Sequence, residues 1–274
     1  MSSQQGTNGA QEAQRTGTQA VERALALLRA FETDADKGLT VTEVAARVGL
    51  TVPTTRRILH ALEAGGALDR NTSGDRYQLG LGMAVLGGIA MRRSGFAAAL
   101  PELEELGERT GEAVNLGVLS GGESVTVVHL PSRHPLRIES YPGARNPAHV
   151  CAMGKALMAY RGVNGLDLDR LTRYTDTTLV EPDVLLRDLM RTHERGYSVS
   201  DEERVRGVRA VGVPILLDTD HAVAAIAVQG PSVRMSDERM AEYAQLALSA
   251  ARRIAEGPFG RAHAATGYSS LGTL

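Results

Sequence analysis

Gly49 falls between two short segments whose apolar residues recur at intervals of three and four, and this arrangement constrains the N-terminal part of the chain more than any other feature. The segment TVTEVAARVGL opens with Thr40 and Glu43 at the spacing of a capping box, offers Val44, Ala45 and Val48 for burial, and stops at Gly49, which can turn left-handed without a steric penalty. In LTVPTTRRILHALEAGGAL, Thr51 can cap a second helix, and Pro53 sits in the first turn, where a missing N–H is harmless. Two helices joined by a short turn containing glycine have the helix-turn-helix spacing. At about 100° per residue, Thr55, Ile58, Leu59 and Leu62 share one side of the second helix. Pro53, Arg57 and His60 point away from that side, with Thr54 and Arg56 on the flanks. Such a face suits a major groove, where arginine bonds guanine or phosphate and threonine donates a hydrogen bond or touches a thymine methyl. Upstream, TQAVERALALLRAFE places Val21, Ala24, Leu25, Leu28 and Phe31 on one face of a first helix. Downstream, ALDR and RYQLG flank NTSGD, a hairpin with Arg70 and Arg76 at its base, which predicts a wing. The DNA-facing set is therefore Thr51, Pro53, Thr54, Arg56, Arg57, His60, Arg70 and Arg76. A merely solvated helix face is the plainer reading of the same residues, because acidic and basic side chains balance over Thr18–Gly80.

The chain has 274 residues, 43% of them hydrophobic and 23% charged, which is the composition of a soluble globular protein with room for two domains. A formal net charge of -2 excludes a global pull toward nucleic acid, so any such site has to be a local patch. The lone Cys151 leaves no internal disulfide, and MSSQQGTNGAQEAQRTG has no apolar stretch of the signal-peptide kind, so a cytoplasmic location is expected. The longest apolar runs, AVGVPILL and HAVAAIAV, fall well short of the roughly 20 residues that span a bilayer, and no membrane partner is expected.

Composition and periodicity divide the chain into five parts. Residues 1–17 and 259–274 have little to bury and read as disordered tails. Residues 18–80 form the helix-turn-helix domain with its wing, and 81–94, in LGLGMAVLGGIAMRRSGF, a linker helix that ends near Ser94 and Gly95. In that helix Leu81, Met83, Val85, Leu86 and Ile89 leave more apolar surface than one domain edge covers, which predicts a homo-oligomer. Residues 95–258 read as an α+β domain: PELEELGERTG as a helix, EAVNLGVL, SVTVVHL and LRIESY as strands, MGKALMAY and DVLLRDLMRTHERGY as helices. AVGVPILLDTDHAVAAIAV then reads as a hairpin turning at Asp218 to His221, and SDERMAEYAQLALSAARRIAEG as a closing helix.

Catalytic and cofactor motifs are missing or incomplete. GLGMAVLGG has no third glycine of a dinucleotide fingerprint, and AHVCAMGKA has Ala148 and Ala156 where a P-loop needs Gly and Ser or Thr. His149 and Cys151, even with His129, His134 or His193, show no zinc-module spacing and read as a buried histidine and a core thiol. Glu202 and Glu203 read as solvated or structural acids, and no nucleophile or H-E-x-x-H signature occurs. No enzyme activity, cofactor or metal is expected. The competing readings are a small-molecule-binding enzyme and a sensor that contacts only protein.

AVERALALLRAF, LTVTEVAARVGLTVPTTRRILHALEAGGAL and DRYQLG, followed by TGEAVNLGVLSGGESVTV, NPAHVCAMGKALMA, RGYSVSDEERVRGVRAVGVPI and AAIAVQGPSVR, occur in the order and spacing of the IclR family of bacterial transcription regulators, which this chain resembles outside its two tails. The resemblance implies an α+β protein: an N-terminal winged helix-turn-helix, a linker helix and a C-terminal GAF-like effector-binding domain with an antiparallel sheet. It also implies a dimer or dimer of dimers on a palindromic double-stranded DNA operator, controlled by a small-molecule effector such as an organic or aromatic acid. Pro53 and Arg56 depart from the small hydroxyl and aromatic residues frequent at their positions. Carried over motif by motif, the effector pocket would be lined by Ile138, Ala152, Met153, Ser200, Val208, Ala210, Ala227 and Gln229. A helix starting near Ala152 would aim free N–H groups at a carboxylate there.

Overall fold

The structure is a computed structural model that describes residues 18–32, 37–218 and 220–266. They fall into two compact units that divide between Ala90 and Met91. Among the described residues no helix is long and apolar enough to cross a membrane.

The first unit contains α1 (residues 18–29), α2 (Val41–Val48), α3 (Val52–Ala64), β1 (Leu68–Arg70) and β2 (Tyr77–Leu79), and ends within α4 (Leu81–Arg93). The capping box forms as the spacing predicts: the Thr40 N–H donates to Glu43 Oε2 at 2.7 Å, and the Glu43 N–H to Thr40 Oγ1 at 3.3 Å. Gly49 ends α2 at φ 68°, a left-handed backbone that lets the chain reverse into α3. Thr51 occupies the N-cap position of α3 but makes no side-chain cap bond. Pro53 removes one of the two N–H groups that such a cap would bind, and the Thr51 hydroxyl instead donates to Thr54 Oγ1 at 3.0 Å. Leu27, Phe31, Val44, Leu59, Leu68 and Tyr77 close one apolar core beneath α3. β1 and β2 are antiparallel with Arg70 opposite Tyr77, and a bridge from Leu39 to Tyr77 extends the wing by one more backbone rung.

The second unit is built on a six-stranded antiparallel sheet in the order β5-β4-β3-β8-β7-β6. Its strands are β3 (Ala113–Ser120), β4 (Glu123–Leu130), β5 (Arg145–Pro147), β6 (Ser198–Asp201), β7 (Val208–Leu216) and β8 (Ala222–Pro231). Its helices are α5 (Leu100–Thr110), α6 (Ala152–Arg161), α7 (Pro182–Arg195), α8 (Asp237–Glu256) and α9 (Pro258–Thr266). Successive side chains on a strand face opposite ways, and the sheet uses this to carry two different surfaces. Ala224, Ile226 and Val228 of β8, with Val114, Leu116 and Val118 of β3, pack against α5 and α8. Ala225 and Ala227 of β8 join the cluster of Met153, Ala156, Leu157, Leu185 and Leu189 from α6 and α7. Small side chains on this second face let α6 approach closely.

Two expectations are corrected here. LRIESY, residues 136–141, is not a strand; it is an irregular strap beside the sheet edge, and the edge pairing is made instead by the short β5. Residues 259–266 are not a disordered tail. They belong to α9, where Phe259 and His263, one helical turn apart, are both buried, and the Phe259 ring lies 5.4 Å from that of Phe96. The small and polar neighbours of this pair hide it in a compositional reading. Residues 1–17 and 267–274 lie outside the described residues.

Candidate functional sites

The face of α3 turned away from the core exposes Thr51, Pro53, Arg56, Arg57 and His60, while Thr54 is half-buried and Thr55 and Leu59 are buried. Neither Arg56 nor Arg57 has an ion-pair or hydrogen-bond partner among the described residues. Two guanidiniums are thus presented on a rigid, well-packed helix. The wing base is different. Arg70 bonds Glu63 Oε1 from Nε at 2.9 Å, the Tyr77 hydroxyl from Nη2 at 2.8 Å and the Gly74 carbonyl from Nη1 at 3.2 Å. Arg76 bonds the Gly38 carbonyl at 2.9 Å and Glu43 Oε2 at 3.2 Å. Both arginines of the DNA-facing set at the wing base are thus engaged within the unit: strand pairing sets their side chains along the acidic residues of α2 and α3. His60 lies between, with Nδ1 3.3 Å from Glu63 Oε2 and 3.4 Å from Arg70 Nη2. Arg56, His60, Arg70 and Asp75 line a cleft of about 380 Å³ between α3 and the wing. Hydrogen bonds from Ser73 and Asn71 hold the Asp75 carboxyl below its ordinary range, so the wing tip carries a fixed negative charge.

In the second unit, α6, the strands β3, β4 and β6 to β8, and the strap border a cavity of about 270 Å³. All eight residues expected of the effector pocket border it: Ile138 from the strap, Ala152 and Met153 from α6, and Ser200, Val208, Ala210, Ala227 and Gln229 from β6, β7 and β8. Strand register explains the convergence. Ser200 pairs with Ala210 and Ala210 with Gln229 in one rung, and Gly212, Ala227 and Asn115 share the rung two positions on, which faces the same way.

The first turn of α6 forms one wall. Its N-cap is Cys151, whose Sγ accepts from the Gly154 N–H at 3.4 Å and lies 3.0 Å from Ser124 Oγ. Burial pushes the thiol pKa up, against the smaller pull of those two hydrogen bonds, so Cys151 is an uncharged cap. The N–H groups of Ala152 and Met153 have no partner among the described residues. Close packing seats this helix end. A Cβ on Gly154 would lie 2.4 Å from Ala148 Cα, and one on Gly212 would lie 2.3 Å from the Ala152 carbonyl oxygen.

Sequence reasoning named Ser200 and Gln229 but missed other polar residues of the cavity. Asn115, Ser124 and Thr126 border it and are nearly fully buried. Asn115 Oδ1 is 2.8 Å from His129 Nδ1, whereas Thr126 Oγ1 has no partner among the described residues. In β4 a signal existed: Ser124 and Thr126 stand two positions apart in a largely apolar strand. Arg137 and Arg204 also border the cavity.

Lys155, one residue beyond the wall, is 1% exposed, with Nζ 2.7 Å from Glu203 Oε1 and 2.8 Å from Asp188 Oδ2. Burial raises the Glu203 pKa, and the Lys155 charge opposes that shift. The lysine of the P-loop-like stretch is thus a buried tie between α6, α7 and the turn after β6. Glu203 is a structural acid, as one of its two sequence readings has it. His149 is buried with Nε2 3.1 Å from the Thr172 carbonyl, and burial lowers its pKa. Among the described residues no group of three or more His, Cys, Asp or Glu side chains is placed to hold a metal ion.

Comparison with known proteins adds an independent line. A family model described as the IclR helix-turn-helix domain matches residues 20–72, and one described as bacterial transcriptional regulator IclR C-terminal matches residues 91–256. The chain is 36% identical to the HTH-type transcriptional regulator BhcR of Paracoccus denitrificans over 88% of each chain. It is 31% identical to the HTH-type transcriptional repressor AllR of Escherichia coli over 90% of this chain and 93% of that one. A solved IclR transcriptional regulator from Alicyclobacillus acidocaldarius superposes with a TM-score of 0.78 at 24% identity, covering 86% of this chain and 97% of its own, and shares the fold.

Proposed function

Because this chain belongs to the IclR family of bacterial DNA-binding transcriptional regulators, a family of non-enzymes, we propose that a small carboxylate held in the cavity of its second unit sets the affinity of α3 for an operator. The observation that carries the reading is the pair of unpartnered N–H groups on Ala152 and Met153 at the start of a ten-residue helix that borders a cavity. Such a helix end favours an anion, both through its free donors and through the helix dipole. Asn115, Thr126, Ser200 and Gln229 add neutral polar groups, and Ile138, Val208, Ala210 and Ala227 an apolar surround. That composition suits the organic part of an acid better than a hydrated inorganic ion.

On the DNA side, Arg56 and Arg57 are the cations free to meet phosphate or a base edge, with Thr51, Pro53, Thr54 and His60 beside them. Arg70 and Arg76 act by holding the wing. α4 exposes Leu81, Val85, Leu86 and Ile89, a stripe that a second copy of the chain would cover. A homodimer would present two α3 helices to two half-sites. Ligand control then requires only that the acid bind the DNA-competent and incompetent arrangements unequally.

The test is footprinting on DNA upstream of the gene, repeated across a panel of small carboxylic acids, with wild type and Ala152→Trp. Ala152 is 2% exposed at the cavity wall, so the indole fills the space meant for the ligand. An acid that changes the footprint of wild type but not of the variant supports the reading. Equal responses in the two proteins place the ligand elsewhere.

A further inference from the structure

We propose that the cavity takes a dicarboxylic acid, whose first carboxylate meets the N-terminus of α6 and whose second meets Arg204 at the mouth. The inference rests on the effector reading above and adds the second anionic group.

Three charged side chains border the cavity: Arg137, Glu139 and Arg204. Arg137 is already matched, with Nε 2.7 Å from Glu139 Oε1. Arg204 is exposed and has no hydrogen-bond or ion-pair partner among the described residues. The lining therefore carries one unmatched positive charge besides the helix end. The two lie at different depths: Ala152 and Met153 are 2% and 4% exposed, whereas Arg204 is open to solvent.

The backbone that carries Arg204 is fixed on both sides. Its neighbour Glu203 is buried against Lys155, and the Glu203 carbonyl accepts from Thr178 Oγ1 at 2.7 Å. The turn is closed by the Gly207 N–H on Glu202 Oε2 at 2.8 Å and by the Ser232 N–H on the Gly207 carbonyl at 2.7 Å. Through the Lys155–Glu203 pair, the segment bearing Arg204 is tied to the same helix whose first turn offers the free N–H groups. The backbone that bears Arg204 and the helix end are held in one frame, so a single side chain brings the guanidinium to a second anionic group. The apolar Ile138, Val205 and Val208 border the same cavity and suit a short hydrocarbon spacer. A cavity of about 270 Å³ limits that spacer to a few carbons or one ring.

The experiment is calorimetric titration of the full chain with two matched pairs, hexanoate with adipate and benzoate with terephthalate, into wild type, Arg204→Ala and Ala152→Trp. A charge-assisted pair at the mouth should make at least one diacid bind about tenfold tighter than its monoacid in wild type. Arg204→Ala should erase that preference and leave monoacid affinity within about twofold. Ala152→Trp should abolish both. Monoacids that bind as tightly as diacids, or an Arg204→Ala variant that weakens both equally, overturn the second subsite and leave the effector reading standing. Failure of all four acids to bind, or binding unaffected by Ala152→Trp, overturns the effector reading and this inference together.

Discussion

The guanidinium of Arg70, on the first strand of the wing, bonds the carboxylate of Glu63, on the helix that carries Arg56 and Arg57, with Nε 2.9 Å from Oε1. The same guanidinium reaches the Tyr77 hydroxyl and the Gly74 carbonyl, so one side chain fixes wing base, wing tip and α3 relative to one another. Arg70→Ala should therefore weaken operator binding without lowering the slope of log affinity against log salt, because no phosphate contact is removed. A slope reduced by about one unit would show that Arg70 touches phosphate after all.

Arg57 should behave in the opposite way. It has no partner to release, and Arg57→Ala should either lower the salt slope by about one unit, if it meets phosphate, or cost about 1–3 kcal/mol at a single base position, if it reads a base. Gel-shift titrations at several salt concentrations separate the two. Unchanged affinity and slope would sink the proposed docking of α3.

The Glu203 carboxyl gives a pH signature. Burial raises its pKa in the folded chain, so the folded state holds a proton that the unfolded state has already released, and this carboxyl's contribution to stability declines as pH rises from the ordinary carboxylate range through the raised value. Glu203→Gln removes the titration while keeping the shape. In urea unfolding, the stability of wild type minus that of the variant should fall with rising pH over this window and then level off. A difference independent of pH would contradict the assignment.

Gly154 decides how closely α6 meets the chain before it. Glycine to alanine inside a helix ordinarily gains about 1 kcal/mol, but here the new Cβ would lie 2.4 Å from Ala148 Cα and 2.5 Å from its carbonyl oxygen. Gly154→Ala should instead lose about 1–3 kcal/mol through overpacking, and should weaken acid binding by displacing the N–H groups of Ala152 and Met153. Thermal unfolding and titration of the same preparation check both. A more stable variant would mean that the approach is looser than described.

On α4, Leu86→Glu places a charge in the exposed apolar stripe and should shift the protein toward monomer in sedimentation at micromolar concentration. Leu86 is 63% exposed in the single chain, so its packing within that chain gives no competing reason for a large effect. Unchanged association would place the contact between copies elsewhere.

The N-terminal unit is legible in the sequence because its information is local. The spacing of Val44, Ala45 and Val48, the glycine at position 49 and the arc of Thr55, Ile58, Leu59 and Leu62 each follow from helix geometry alone. What it conceals is partnership. The sequence does not show that Arg70 and Arg76 are engaged, because Glu63 and Glu43 meet them only after folding. In the second unit, the eight pocket positions came from the family resemblance, and periodicity could not supply them, since Ser200, Ala210 and Gln229 become neighbours only through strand register. Asn115, Ser124 and Thr126 were overlooked because the strands holding them read as apolar overall. The strap of residues 136–141 carries alternating side chains like a strand yet lacks a partner edge, which no single segment reveals.

Ala210 and Ala227 border the cavity from the middle strands, and their methyl groups bond to nothing. The ladder holding those strands together is made of backbone, so a larger or more polar side chain at either place would redraw the space beside it while leaving the sheet hydrogen bonds intact. On the effector reading, the choice of ligand rests on side chains whose replacement leaves the backbone ladder in place. Of the two, Ala227 is packed into the cluster against α6 and Ala210 is not, so on that reading a change of ligand with the strands still paired is open first at Ala210.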